Sequence, residues 1–174
     1  MKLLDTATMI LLATLPSCTS LHENDQRGIQ GKDDSTKIII EGFVSEAWNK
    51  KNTAYLADKL TDNFVRTVNG IAVANNKTEM APVMDVFFKG FPDLNLVLTN
   101  ITANRTRTYT NWTLTGTNTG VFGEAPPTGK KVTISGISIG TWDDNGKLSK
   151  EEVYFNELSM MQQLGYTISP PGAK

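Results

Sequence analysis

Apolar residues along this chain repeat first at helical spacing and then at strand spacing. Ile39, Phe43 and Ala47 recur every fourth residue, as do Ile40, Val44 and Trp48. That spacing predicts a helix, and Ser35 or Thr36 stands where its N-cap belongs. Thr53 can cap a second, shorter helix carrying Tyr55, Leu56 and Leu60. "NFVRTV" reads as a strand, and Asn69-Gly70 is a hairpin turn signal leading into "IAVA". Lys77 to Phe88 returns to helical spacing through Met80, Val83, Met84, Phe87 and Phe88, with Thr78 available as a cap.

After Pro92 the period becomes two. "LNLVLTNI", "TYTNWTLTGT" and the long, glycine-interrupted "KVTISGISIGTW" alternate as strands do. Asp144-Asn145-Gly146 closes a hairpin onto "KLSKEEVYFNEL", and "SMMQQLGY" reads as a short helix ended by Gly165. Gly116, Gly136 and Gly140 lie inside strands, where glycine marks bulges or tight curvature. Helices come first and a bent antiparallel sheet follows. The predicted class is α+β, with a curved antiparallel sheet forming a cone around an N-terminal helical layer and leaving a pocket inside.

Composition narrows the chemistry. The 174 residues are 39% hydrophobic and 20% charged, with a net charge of −1 and scattered cations. One domain of ordinary size fits this, and no basic footprint for nucleic acid does. Cys18 and His22 are the chain's only cysteine and histidine, both near the N-terminus. The domain therefore lacks a Cys nucleophile, a Ser-His or Cys-His pair and a Cys/His metal site. Acid–base work falls to carboxylates, Lys or Tyr, or to water held by amides and hydroxyls.

Lys2, the apolar run Met9–Leu15 and "LPSC" together resemble a bacterial lipoprotein signal, in which Cys18 is acylated and becomes the mature N-terminus. The apolar run is too short to span a bilayer as a helix. Residues 1–17 are expected to be a signal peptide, and 18–34 the acylated cysteine with a polar, flexible tether. Residues 35–168 are expected to form one domain, followed by a tail at 169–174. On that reading the protein sits in the cell envelope, lipid-anchored, with Thr19 after the cysteine favouring the outer membrane.

The segments "AWNKKNTAYLADKLTDNFV", "FPDLNLVL", "GTNTGVFGEAPPTGKKVTISGISI" and "DDNGKLSKEEVYFNELSMMQQLG" run in order from about Phe43 to Gly165. Together they resemble the SnoaL-like polyketide cyclase, or ester cyclase, family, which adopts the nuclear-transport-factor-two-like α+β cone. The resemblance implies a pocket for a small apolar or polyketide-like molecule, no cofactor, and a homodimer formed through the open sheet face. Characterised members close a polyketide ring by an intramolecular aldol reaction. A carboxylate moves the proton of an acidic carbon, and pocket dipoles stabilise the enolate.

Three departures stand out against that family. Its "GTHTG" is here "GTNTG", so a histidine becomes Asn118. Its "WDELGLLQQLG" is here "FNELSMMQQLG", so the acid–base aspartate becomes Asn156. The histidine often found after "DDFVR" is Thr67. An amide can hydrogen-bond a carbonyl but takes no proton near neutral pH. If Asn156 faces the pocket, strand alternation brings Tyr154 and Glu152 to the same side, and Glu152 becomes the candidate acid or base.

Trp112, Leu114 and Asn118 share parity on one strand, placing Asn118 inward unless Gly116 forms a bulge. Trp48, Phe64, Phe87, Phe88, Phe91, Trp112, Phe122 and Trp142 are the aromatic residues that could line a cavity, with Phe122 placed to act as its lid. Three readings remain open: a catalytically silent small-molecule binder, an active cyclase, isomerase or hydrolase using Glu152 or a bound water, and a dimerising interaction module without a ligand.

Overall fold

The protein is seen in a computed structural model that describes residues 34–104 and 106–172. The expected signal peptide and tether, Cys18 included, lie outside the described residues. Among the described residues no helix is long and apolar enough to cross a membrane.

Helix α1 runs α-helical over 34–42 and continues as a wider π-helix over Phe43–Asn49. The change is visible in the Lys50 N–H donating to Ser45 O, five residues back, at 3.2 Å. With more residues per turn, Phe43, Ala47 and Trp48 are all buried on one side. The expected second helix is only one 3₁₀ turn, Thr53–Leu56. Leu60 is already in the first strand, which is why that helix stops.

Strands β1 (Leu60–Val68) and β2 (Ile71–Ala74) form the expected hairpin, with Asn69 at φ 49° and Gly70 at φ 85°. Both left-handed positions are the ones Asn-Gly tolerates. Helix α2 (Met80–Gly90) follows a 3₁₀ turn, Lys77–Glu79. Asn76, not Thr78, caps that turn, its side chain accepting from the N–H groups of Thr78 at 3.0 Å and Glu79 at 3.2 Å. Strands β3 (Asn95–Asn104), β4 (Arg107–Thr117), β5 (Lys131–Trp142) and β6 (Leu148–Phe155) complete the sheet, and α3 (Glu157–Leu164) closes the fold.

The six strands lie in the order β2-β1-β6-β5-β4-β3, antiparallel throughout except the parallel β1–β6 pair. Register shifts at Arg66/Thr67, Leu98/Asn100 and Thr141/Trp142 curl the sheet without closing it. Its concave face meets the helices in one core containing Phe43 and Trp48 from α1, Met80 and Met84 from α2, and Met160 and Leu164 from α3. Edge strand β3 is partly covered by Asn49, whose amide donates to Leu96 O at 2.9 Å and accepts from its N–H at 2.8 Å. The α+β fold with a curved sheet over helices is as the periodicity predicts.

The turn before β3 is clamped to the end of β4 by Asp93, which accepts from the Thr117 N–H at 2.6 Å and its hydroxyl at 2.7 Å. These two bonds, the backbone one first, hold the Asp93 carboxyl below its ordinary pKa. A depressed folded-state pKa adds stability above the ordinary Asp range, and that stability is lost as pH falls through the lower value. Asp93→Asn should therefore reduce stability near neutrality. The deficit should shrink in acid below the ordinary Asp range, as followed by urea unfolding at the two pH values.

Candidate active site

Between the sheet and the helices lies a cavity of about 250 Å³. Its walls are mostly apolar: Ile40, Phe43 and Val44 from α1, Leu96 and Leu98 from β3, and Val153 and Phe155 from β6. All three tryptophans of the chain, Trp48, Trp112 and Trp142, line it. Two of their ring N–H groups are used internally. Trp112 Nε1 donates to Ser138 Oγ at 3.1 Å, and Trp142 Nε1 donates to Thr108 Oγ1 at 3.0 Å. The indoles thus present carbon to the cavity while their donors are satisfied in the wall.

Alternation on the strands decides which polar groups reach this space. On β1, Arg66 and Val68 line the cavity; on β6, Glu151, Val153 and Phe155 do. The parallel pairing sets Arg66 beside Glu151, and the Arg66 guanidinium donates through Nη1 to Glu151 Oε2 in a short ion pair. Both side chains are largely withdrawn from solvent, at 9% and 14% exposure. A charge buried this far requires its partner, since either alone would carry an uncompensated desolvation cost. Arg66 also lies 5.6 Å from the centre of the Trp48 ring, so the guanidinium is held by an aromatic face as well as by the carboxylate. Glu157, at the start of α3 and solvent-exposed, also lines the cavity.

Gly136 belongs to the same construction. A Cβ on it would lie 2.4 Å from the Trp112 ring and 2.7 Å from Tyr154 O, so only glycine lets the indole cross β5. Gly136→Ala should cost about 1–3 kcal/mol through overpacking. It should also displace Trp112, which urea unfolding and the tryptophan emission spectrum would report.

The matches with known proteins fall on this same architecture. The SnoaL-like polyketide cyclase family matches residues 38–164, from the middle of α1 to the end of α3. The chain belongs to the SnoaL-like polyketide cyclase family. Solved structures share the fold. AclR, a candidate hydroxylase from Streptomyces galilaeus, superposes with a TM-score of 0.68 at 24% identity, covering 78% of this chain and 99% of its own. A candidate SnoaL-like polyketide cyclase from Jannaschia sp. gives 0.71 at 21% identity, covering 78% and 95%. IdmH, a candidate polyketide cyclase from Streptomyces antibioticus, gives 0.64 at 19% identity, covering 75% and 99%. At these identities the likeness establishes the fold alone. No curated protein matches the chain.

Within this SnoaL-like domain the residues singled out from sequence divide into two groups. Trp48, Trp112 and Phe122 line the cavity. Phe88 does not; it packs edge-on against the Trp48 ring at 5.8 Å, and Phe87, one residue earlier, lines the cavity instead. Thr67 lies between the inward Arg66 and Val68 and pairs with Glu152, so it belongs to the other face of the sheet.

The face assigned to β6 needs correction. Glu152 and Tyr154 stand on the outer face, opposite Glu151, Val153 and Phe155. Glu152 is held there by Lys150 at 3.0 Å and Arg107 at 3.8 Å, and Tyr154 is exposed. Alternation counted back from Asn156 does not apply, because the strand ends at Phe155. Asn156 is already the N-cap of α3, its side chain accepting from Ser159 N–H at 2.8 Å. Parity does not carry across a strand end.

Asn118 is inward, and β4 and β5 pair without a bulge at Gly116. It is fully buried yet contributes nothing to the cavity wall. Its amide donates to Gly90 O at 3.1 Å and Gly120 O at 2.9 Å, and its oxygen accepts from the Thr128 N–H at 2.8 Å and hydroxyl at 3.0 Å. This residue ties the end of α2 to the loop 118–130.

Arg66 and Glu151 were missed as site residues. Their signal was present: each sits at strand spacing from apolar neighbours, Arg66 between Phe64 and Val68, and Glu151 in line with Val153 and Phe155.

Proposed function

We propose that this SnoaL-like domain binds a small, largely apolar molecule in the cavity and moves a proton on it, with Glu151 as the acid–base group and Arg66 as its electrostatic partner. The observation that carries this reading is the buried Arg66–Glu151 pair on an otherwise apolar wall. Among the described residues nothing but Arg66 is bonded to the Glu151 carboxylate, which leaves Oε1 available to a ligand. Glu151 takes a proton from carbon next to a carbonyl, and the C–H electron pair moves onto the carbonyl oxygen. Arg66 stabilises the enolate oxygen so formed, and the proton returns from Glu151 to carbon or oxygen. The names of the solved cyclases agree with proton transfer of this kind.

The replaced family residues favour a second reading, in which the cavity binds its ligand without turning it over. Asn118 and Asn156 are engaged in a loop tie and a helix cap, so neither is free to act on a ligand. Exchange of solvent deuterium into the C1 position of 2-tetralone, followed by NMR, separates the two. Glu151→Gln should slow protein-dependent exchange by about a hundredfold or more, while Glu152→Gln should leave it unchanged. Equal rates for the wild type and Glu151→Gln would leave binding alone. On the same proposal the domain is tethered to an envelope membrane through Cys18, supported by the "LPSC" pattern; loss of membrane association in Cys18→Ser is the expected result.

A further inference from the structure

The cavity floor carries a pair of hydroxyls that the fold itself leaves open. Thr110 on β4 stands directly opposite Ser138 on β5, and both line the cavity. Thr110 is only 5% exposed, so the cavity is the space its remaining surface borders. Among the described residues, the unpartnered side-chain atoms sealed from solvent are Thr61 Oγ1, Arg66 Nε, Arg107 Nε and Thr141 Oγ1. The Thr110 hydroxyl is not one of these. It too has no partner among the described residues, yet it keeps open surface.

Ser138 is half used. Its Oγ accepts from Trp112 Nε1 at 3.1 Å, while its own O–H has no acceptor among the described residues. A hydroxyl that accepts from one group becomes a better donor to the next. The outer face of the same two strands shows a closed alternative. There Thr113 stands opposite Ser135, and the two hydroxyls bond one another at 2.9 Å. Thr110 and Ser138 make no such bond. Around them the wall is apolar, with Leu98, Leu114, Ile134 and Val153. Donors set in such a wall gain most from an acceptor that a ligand brings.

We propose that Thr110 and Ser138 form a second polar subsite, which takes an oxygen of the ligand other than the one at Arg66. The inference rests on the reading of the cavity as a small-molecule site. It narrows the ligand to a carbonyl compound with a second oxygen function: a hydroxyl, an ether or a ketone. Both residues have a proton to donate, and the Thr110 oxygen can also accept from a ligand hydroxyl.

The sheet register supports this division between two oxygens. Ser138 faces Val153, two residues along β6 from Glu151, which faces Gly140. Diagonal neighbours of this kind lie roughly 7–8 Å apart. One ligand can therefore hold its reacting carbon at Glu151 and its second oxygen at Ser138. Gly140, opposite Glu151, adds no side chain to obstruct that bridge.

The test is isothermal titration calorimetry with 6-hydroxy- and 7-hydroxy-2-tetralone, each compared with the 2-tetralone methylated at the same position. The methyl group fills the same space without the oxygen. At least one hydroxy compound should bind about tenfold tighter than its methyl counterpart. Thr110→Val combined with Ser138→Ala should abolish that preference, and Thr110→Ser, which keeps the hydroxyl, should retain it. Thermal melts separate this from a structural role. Thr110→Val removes an unused polar group at nearly the same shape, so its Tm should be unchanged or higher. A lower Tm would mean that the hydroxyl is already engaged within the fold, which overturns the subsite. Equal binding of hydroxy and methyl compounds by the wild type would mean that water alone answers the pair; the subsite falls and the cavity remains a binding site. A preference that survives in the double variant would overturn the assignment to Thr110 and Ser138. Binding of no probe would overturn both the inference and the reading beneath it. Failure of the Glu151 exchange experiment alone would leave the subsite standing.

Discussion

Asn118→Leu is expected to destabilise the domain by about 4 kcal/mol, although the replacement is close in volume. The amide spans Gly90 O, Gly120 O and both donors of Thr128. Removing it leaves Gly120 O and the Thr128 N–H, both part-buried, without this partner, while Gly90 O keeps the Gly120 N–H at 3.3 Å; a buried group left without a partner costs about 1–3 kcal/mol. Asn118→His, which restores the residue typical of the family, should still cost about 2 kcal/mol. A neutral imidazole offers one donor and one acceptor, whereas the amide supplies two donors here. Urea unfolding measures both values. Losses under about 1 kcal/mol for Asn118→Leu would show that the loop finds other partners and that Asn118 is not its anchor.

Arg66→Leu should lose a comparable amount, about 3–5 kcal/mol, because it leaves the Glu151 carboxylate buried without a countercharge. It also removes the guanidinium from the Trp48 ring. The double variant Arg66→Leu with Glu151→Leu should recover most of that loss, since an apolar pair of similar volume matches the surrounding wall. Stability and function then separate: the double variant folds but has no proton-transfer group. If the double variant is as unstable as the single one, the cost of Arg66→Leu comes from packing rather than from a stranded charge.

Much of this architecture can be read from residue periodicity. The period of two after Pro92, the Asn69-Gly70 hairpin and the helical spacing around Phe43 all correspond to elements with nearly those limits. These patterns are local, and local backbone geometry decides them. Two things depended on distant parts of the chain. The fourth-residue repeat in α1 gave no sign of the π-helical widening over Phe43–Asn49, which sets Ala47 and Trp48 side by side against the core.

The inward face of β6 depended on where the strand stops. Asn156 is a preferred N-cap residue standing three positions before Ser159, and the chain turns there. Extending strand parity through that turn exchanged Glu151 for Glu152. The apolar partners Val153 and Phe155 were the better guide, because burial rather than family position determines which face a strand turns inward. The Arg66–Glu151 pair itself arises from the parallel β1–β6 contact between residues 85 apart in sequence. No short-range pattern encodes that meeting.

A crystal structure of the protein grown with 2-tetralone tests the central claim most directly. The account predicts the ligand inside the cavity, its carbonyl oxygen beside the Arg66 guanidinium and its C1 carbon facing Glu151 Oε1. Ligand on the outer face beside Glu152 and Tyr154, or a cavity filled by its own side chains with no ligand bound, would contradict it.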